Sequence, residues 1–121
     1  MDFPAPPARL ASRLRRICLA LPEAEELPAW QGTSFRIRRR IFAHLFGIEQ
    51  PSGEPAHIVV CRVEPSELAG LVASGHPYFA VRSGGDRIGM VLGPTTDWDE
   101  VGELVTDSYR LLAPKKLAAL V

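Results

Sequence analysis

The stretch from Asp97 to Val121 constrains the fold most. Asp97 and Glu100 form a capping-box pattern, with Thr96 as an alternative cap. Asp99 and Glu100 suit the positive end of a helix dipole. Trp98, Val101, Leu104, Val105, Ser108 and Leu112 then fall along one stripe at helical spacing. Pro114 interrupts the pattern, and Lys115 to Leu120 reads as one or two further turns. A long helix that is apolar on one side needs a surface to cover. The remainder of the chain reads as that surface, a small sheet.

Leu10, Leu14, Ile17, Cys18 and Leu21 recur at helical spacing and predict an amphipathic helix over 7–20 that stops near Pro22. Residues 1–6 read as a loose N-terminal arm, with Pro7 acceptable as the first helical residue. Glu23 to Trp30 reads as a turn into an edge strand, the place where Pro28 is tolerated. Ser34 to Arg38 alternates, with Phe35 and Ile37 on one side and Arg36 and Arg38 on the other. Arg39-Arg40 reads as the turn into a strand over 41–48. Two-residue hairpin turns favour Gly or Asn, so this one is either longer or strained. A loop over 49–55 precedes a strand over 57–63. Pro65 opens a helix ending near Gly75. Strands over 78–81 and 87–92 flank a turn at Ser83-Gly84-Gly85-Asp86. The order helix, three or four strands, helix, two strands, helix predicts a single α+β domain over 1–121. It would have two layers, an antiparallel sheet with helices mainly on one face.

Apolar residues make up 46% of the 121, enough for a core without a disulfide or metal. No apolar run approaches membrane length and no signal peptide is visible, so the expectation is a cytoplasmic protein without membrane contact. Cys18 and Cys61 each sit in an apolar pattern and read as buried thiols. His44, His57 and His76 lack metal-ligand spacing, and no cofactor is implied. The glycines of 83–89 fit neither a phosphate loop nor a dinucleotide fingerprint. The acids of 97–107 read as a solvated helix face. No residue pattern demands catalysis, and the expectation is a non-enzyme.

Charge is the remaining lead. Formal net charge is zero, but residues 1–62 carry nine arginines and six acids, and residues 63–121 carry five basic residues and eight acids. Arg36, Arg38, Arg39 and Arg40 lie within five positions. Guanidiniums on a projecting hairpin suit phosphates and guanine edges. The same cluster also suits a solubilising hairpin that discourages edge-to-edge association.

Three stretches resemble the MmcQ/YjbR family of small bacterial proteins. Leu21-Pro22-Glu23-Ala24-Glu25-Glu26 resembles its Leu-Pro-Gly-Ala-Glu-Glu opening. Phe35 to Ala43 resembles its Phe-Arg-Val-x-Gly-Lys-x-Phe-Ala hairpin, with Arg39-Arg40 in place of Gly-Lys. Asp97-Trp98 through Leu117 resembles its closing signature. The usual Trp-Gly-x-Pro reads here Trp30-Gln31-Gly32-Thr33. The resemblance implies a two-layer fold similar to type III secretion chaperones and two hairpin wings that hold DNA, here Arg36–Ala43 and Arg82–Leu92. It supplies no catalytic residues.

The expected function is therefore a monomeric double-stranded DNA-binding module. Arg36, Arg38, Arg39 and Arg40 would contact phosphates, helped by Arg82, Arg87, Lys115 and Lys116. The alternatives are a chaperone-like protein-interaction module and, third, a small-ligand enzyme with a pocket between sheet and terminal helix.

Overall fold

The computed structural model describes residues 7–29, 31–82 and 85–121. The expected arm at 1–6, Trp30, and Ser83-Gly84 of the expected turn lie outside these residues. Helix α1 (Ala8–Leu19) buries Leu10, Leu14 and Cys18, spaced four apart so that they share one face. Pro7 is its N-cap and not its first helical residue. Strands β1 (Glu25–Ala29), β2 (Gly32–Ile37), β3 (Arg40–Glu49) and β4 (Pro55–Arg62) follow, so the first run of strands numbers four. Helix α2 (Pro65–Ala73) leads to β5 (Tyr78–Ala80) and β6 (Arg87–Leu92). Helices α3 (Trp98–Leu112) and α4 (Lys115–Ala118) close the chain.

The six strands form one antiparallel sheet in the order β1-β2-β3-β4-β6-β5. The expected architecture, an α+β domain with helices on one face, is what the structure has. Alternation assigns the faces. Phe35, Ile37, Ala43, Leu45, Val59, Cys61, Ile88, Met90 and Leu92 form one core with Leu14 and Cys18 of α1 and Val101, Val105 and Tyr109 of α3. Leu68 and Leu71 of α2 pack against the same core. The opposite sheet face carries Phe46, Ile58, Val60, Val91 and Phe79, and no described helix lies over it. Both sheet edges are short: β1 has five residues and contains Pro28, and β5 has three.

Two details fix the geometry. Gly32 has φ +96, and a Cβ there would strike the Leu45 carbonyl, so only glycine admits this close strand approach. The β2–β3 register shifts between Phe35 and Arg36, leaving Phe42 as an extra residue on β3. Phe42 and Ala43 are consequently both buried, against strict alternation. The Phe42 ring meets Tyr109 edge-on, with centroids 5.5 Å apart. Tyr109, absent from the expected stripe, is fully buried and donates from Oη to the Pro22 carbonyl at 2.6 Å.

Helix α3 starts as its sequence predicts. The Asp97 side chain accepts from the amides of Asp99 and Glu100. The Glu100 carboxylate, expected to complete a capping box, instead accepts from Tyr78 Oη at 2.6 Å and ties α3 to β5. At mid-helix Ser108 is fully buried. Its hydroxyl accepts from the Arg62 amide at 2.8 Å and donates to the Phe42 carbonyl at 2.6 Å. The β3–β4 pairing ends at Ala43 and Cys61, and the hydroxyl bridges the two backbones one step beyond.

Ser108→Ala leaves that amide and carbonyl buried without their bridge. Its expected cost is about 1–3 kcal/mol, roughly one desolvated polar pair. Urea unfolding should show a lower midpoint at unchanged slope. An unchanged midpoint would mean that the bridge contributes nothing to stability.

Candidate functional site

The turn expected at Arg39-Arg40 lies one residue earlier. Arg38 (φ 49) and Arg39 (φ 70) are both left-handed, between the paired Ile37 and Arg40. This is the strained two-residue turn, whose mirror-image twist matches that of the flanking strands. A non-glycine residue in this region costs roughly 1–2 kcal/mol.

The arginines of the hairpin have separate roles. Arg38, placed by its sequence beside Arg36, pairs with Glu23 at 3.0 Å. Arg40 donates to the Leu112 carbonyl at the end of α3, at 3.2 Å. Arg36 donates from Nε to Ser34 Oγ at 3.0 Å. Ser34 in turn donates to the Leu27 carbonyl, so Arg36 is braced against β1. Arg39 lines a concave groove of about 360 Å³, together with Arg40, Arg62 and Arg87.

The groove exists because three strand ends meet there. Arg62 ends β4 and pairs across the sheet with Arg87, which starts β6. The β2–β3 turn reaches the same end, since β3 runs antiparallel to β4. Ile41, His44 and Val60 complete the lining. Asp86 holds Arg62 at 2.6 Å. Arg62 escaped sequence reading because it ends an apolar strand. Only the β4–β6 register places it in the cluster.

His44 donates from Nε2 to the Gln31 carbonyl at 2.7 Å. Burial, chiefly, lowers its pKa below the usual histidine value, which keeps the ring neutral near pH 7. Arg82 is exposed on the β5–β6 connection, and Lys115 and Lys116 are exposed on α4. These three do not line the groove. The β2–β3 turn and the start of β6 therefore share one end of the sheet, but the lysines lie on α4 in the helical layer.

Other chemistry is muted. Cys18 and Cys61 are both buried. Burial pushes both thiols up, Cys61 to about 12, so neither offers a thiolate near neutral pH. Among the described residues no group of three His, Cys, Asp or Glu could hold a metal ion. On α3, Asp107 pairs with Arg110 at 3.0 Å. No helix among the described residues is long and apolar enough to cross a membrane.

The family model described as YjbR matches residues 19–111. No curated protein shows significant similarity to the chain. Solved structures that share its fold include the following two. A protein from Pseudomonas syringae superposes with a TM-score of 0.65 at 16% identity, covering 74% of this chain and 87% of its own. The Deinococcus radiodurans protein DR2400, with a DUF419 domain, gives 0.66 at 21% identity, covering 88% and 80%.

The turn strain can be tested apart from any ligand. Glycine at position 39 accepts φ 70 without a Cβ clash. Arg39→Gly is expected to raise unfolding free energy by about 1 kcal/mol. A lower melting temperature for this variant would show that the Arg39 side chain stabilises the hairpin more than its backbone conformation costs.

Proposed function

The chain belongs to the YjbR family, and within it we propose that this protein is a monomeric, non-enzymatic, cytoplasmic module that binds duplex DNA at the arginine end of its uncovered sheet face. One observation carries the reading: Arg39, Arg40, Arg62 and Arg87, from three separate strand ends, converge on one solvent-facing groove. Guanidiniums gathered from non-adjacent positions raise the local positive potential and attract anions. A sugar-phosphate backbone laid across the strand ends supplies a row of them, and arginine matches phosphate with two parallel hydrogen bonds. Arg36 flanks the groove from β2, and Arg82 extends the basic surface along the β5–β6 wing. Arg38 contributes less, because Glu23 already partners it. Lys115 and Lys116 act at most through long-range attraction.

A second reading rests on the other half of the same face. Leu27 is exposed there, and Phe46, Ile48, Phe79 and Val91 are only partly buried. The Phe79 ring lies directly over Gly89, where a Cβ would collide with it. A flat apolar surface of this kind suits a protein partner.

Fluorescence anisotropy with a labelled duplex separates the two readings. The DNA reading predicts Kd on the order of 10⁻⁴–10⁻⁶ M, weakening steeply as salt rises. Arg39→Gln combined with Arg87→Gln should weaken binding about ten-fold or more and lower the salt exponent by about two. Arg38→Gln should have a smaller effect. Absence of binding at low salt would overturn the DNA reading and leave the protein-partner reading.

A further inference from the structure

A second and larger concavity, about 790 Å³, opens at the other end of the sheet on its helix-covered side. It lies between α1, the start of β4, the end of β6 and the first turn of α3. Its size falls in the usual range for small-molecule sites, which are apolar with a few converging polar groups. Leu10 of α1, Leu92 of β6 and Trp98 of α3 supply the apolar walls.

The polar groups here are unevenly committed. Glu100 accepts from Tyr78 Oη, and Asp97 caps α3, so both acids are engaged by the fold itself. Arg9 and Arg13 stand four residues apart on α1, hence on one face of the helix. Among the described residues neither pairs with a carboxylate, and the Arg13 guanidinium lies 4.9 Å from the Trp98 ring centroid. His57 points to this side of the sheet, since its partner Leu92 is a core residue. Its Nδ1 is buried without a hydrogen-bond partner among the described residues. A buried polar atom of this kind calls for an acceptor or donor from elsewhere. His76 also lines the cavity.

We propose that this cavity binds a small organic anion, a carboxylate or phosphate monoester carried on an apolar ring. The ring lies between Leu10, Leu92 and Trp98, and the anionic group meets Arg9 and Arg13. His57 supplies a further hydrogen bond. Burial lowers the His57 pKa, so the imidazole enters this contact neutral, with one nitrogen a donor and the other an acceptor. The site is separate from the arginine groove and does not depend on the DNA reading.

Isothermal titration calorimetry with 1-naphthyl phosphate, 1-naphthoate, 1-naphthol and inorganic phosphate tests the proposal. One or both naphthyl anions should bind one per chain, with Kd on the order of 10⁻⁵–10⁻⁴ M for ligands of this size. Preference between them identifies the head group. Naphthol and inorganic phosphate should each bind at least about ten-fold more weakly, since each lacks one half of the recognition. Arg9→Gln with Arg13→Gln should weaken the preferred anion about ten-fold or more. Both positions are exposed, so folding should survive, with an unchanged melting temperature as the check. Arg110→Gln, on the far half of α3, should leave binding unchanged. The proposal is overturned if neither anion saturates below millimolar concentration. Naphthol binding as tightly as the anions, or the double variant binding like the wild type, also overturns it.

Discussion

One hydroxyl joins the two layers where the sheet's own hydrogen bonding stops. Ser108 accepts from the Arg62 amide and donates to the Phe42 carbonyl, so α3 takes the place of the next rung between β3 and β4. The contact is short-range and buried, and it bears on two of the three strands that carry groove arginines. Phe42 is the bulged residue of β3, and its ring rests on Tyr109 one position further along the same helix. The hairpin ahead of it, with Arg39 and Arg40, therefore takes its orientation from α3. Arg62 takes its orientation from the same side chain through its own amide. Helix α3 contributes no residue to the groove lining, but it sets where the arginines of β3 and β4 stand.

Legibility in the sequence followed the range of the interactions. Features decided within a few residues could be read directly: the Asp97 cap, the Leu10–Leu14–Cys18 stripe, Pro65 opening α2, and Pro28 marking an edge. Features decided across the sheet could not. Phe42 breaks the two-residue period because of a bulge that only the partner strand β2 defines. Tyr109 looks like a residue off the stripe until Pro22 and Phe42 are placed around it. Arg62 has no local signal at all. The turn was displaced by one residue because Arg-Arg gives no chemical cue to its conformation. Of the four hairpin arginines named from sequence, Arg39 faces the groove with few other ties, whereas Arg38 and Arg40 are partly engaged by Glu23 and the end of α3.

Two of the residues that depart from the family pattern fall at backbone positions of one kind. Glu23 and Arg39 both stand where the resembling motifs carry glycine, and both have positive φ, 57 and 70. The backbone shape expected of the family persists without the residue that makes it easy. The side chain of Glu23 has an evident use, because it holds Arg38. That pairing draws Arg38 away from its neighbour Arg39 and lessens repulsion between adjacent guanidiniums. The turn thus carries a higher conformational cost than a glycine turn, along with an added guanidinium in the groove.

The sheet's margins bear on how anything can approach it. β1 presents Pro28, which has no amide hydrogen to donate, and β5 offers only three residues. An extended peptide adding itself as a seventh strand would find few backbone partners at either side. Recognition by strand addition is thereby disfavoured, which would direct any partner onto the broad uncovered surface. Affinity at that surface must come from side chains, the arginines at one end and the aliphatic and aromatic groups at the other. Binding there would accordingly be tunable by point substitution in a way that backbone-mediated pairing is not.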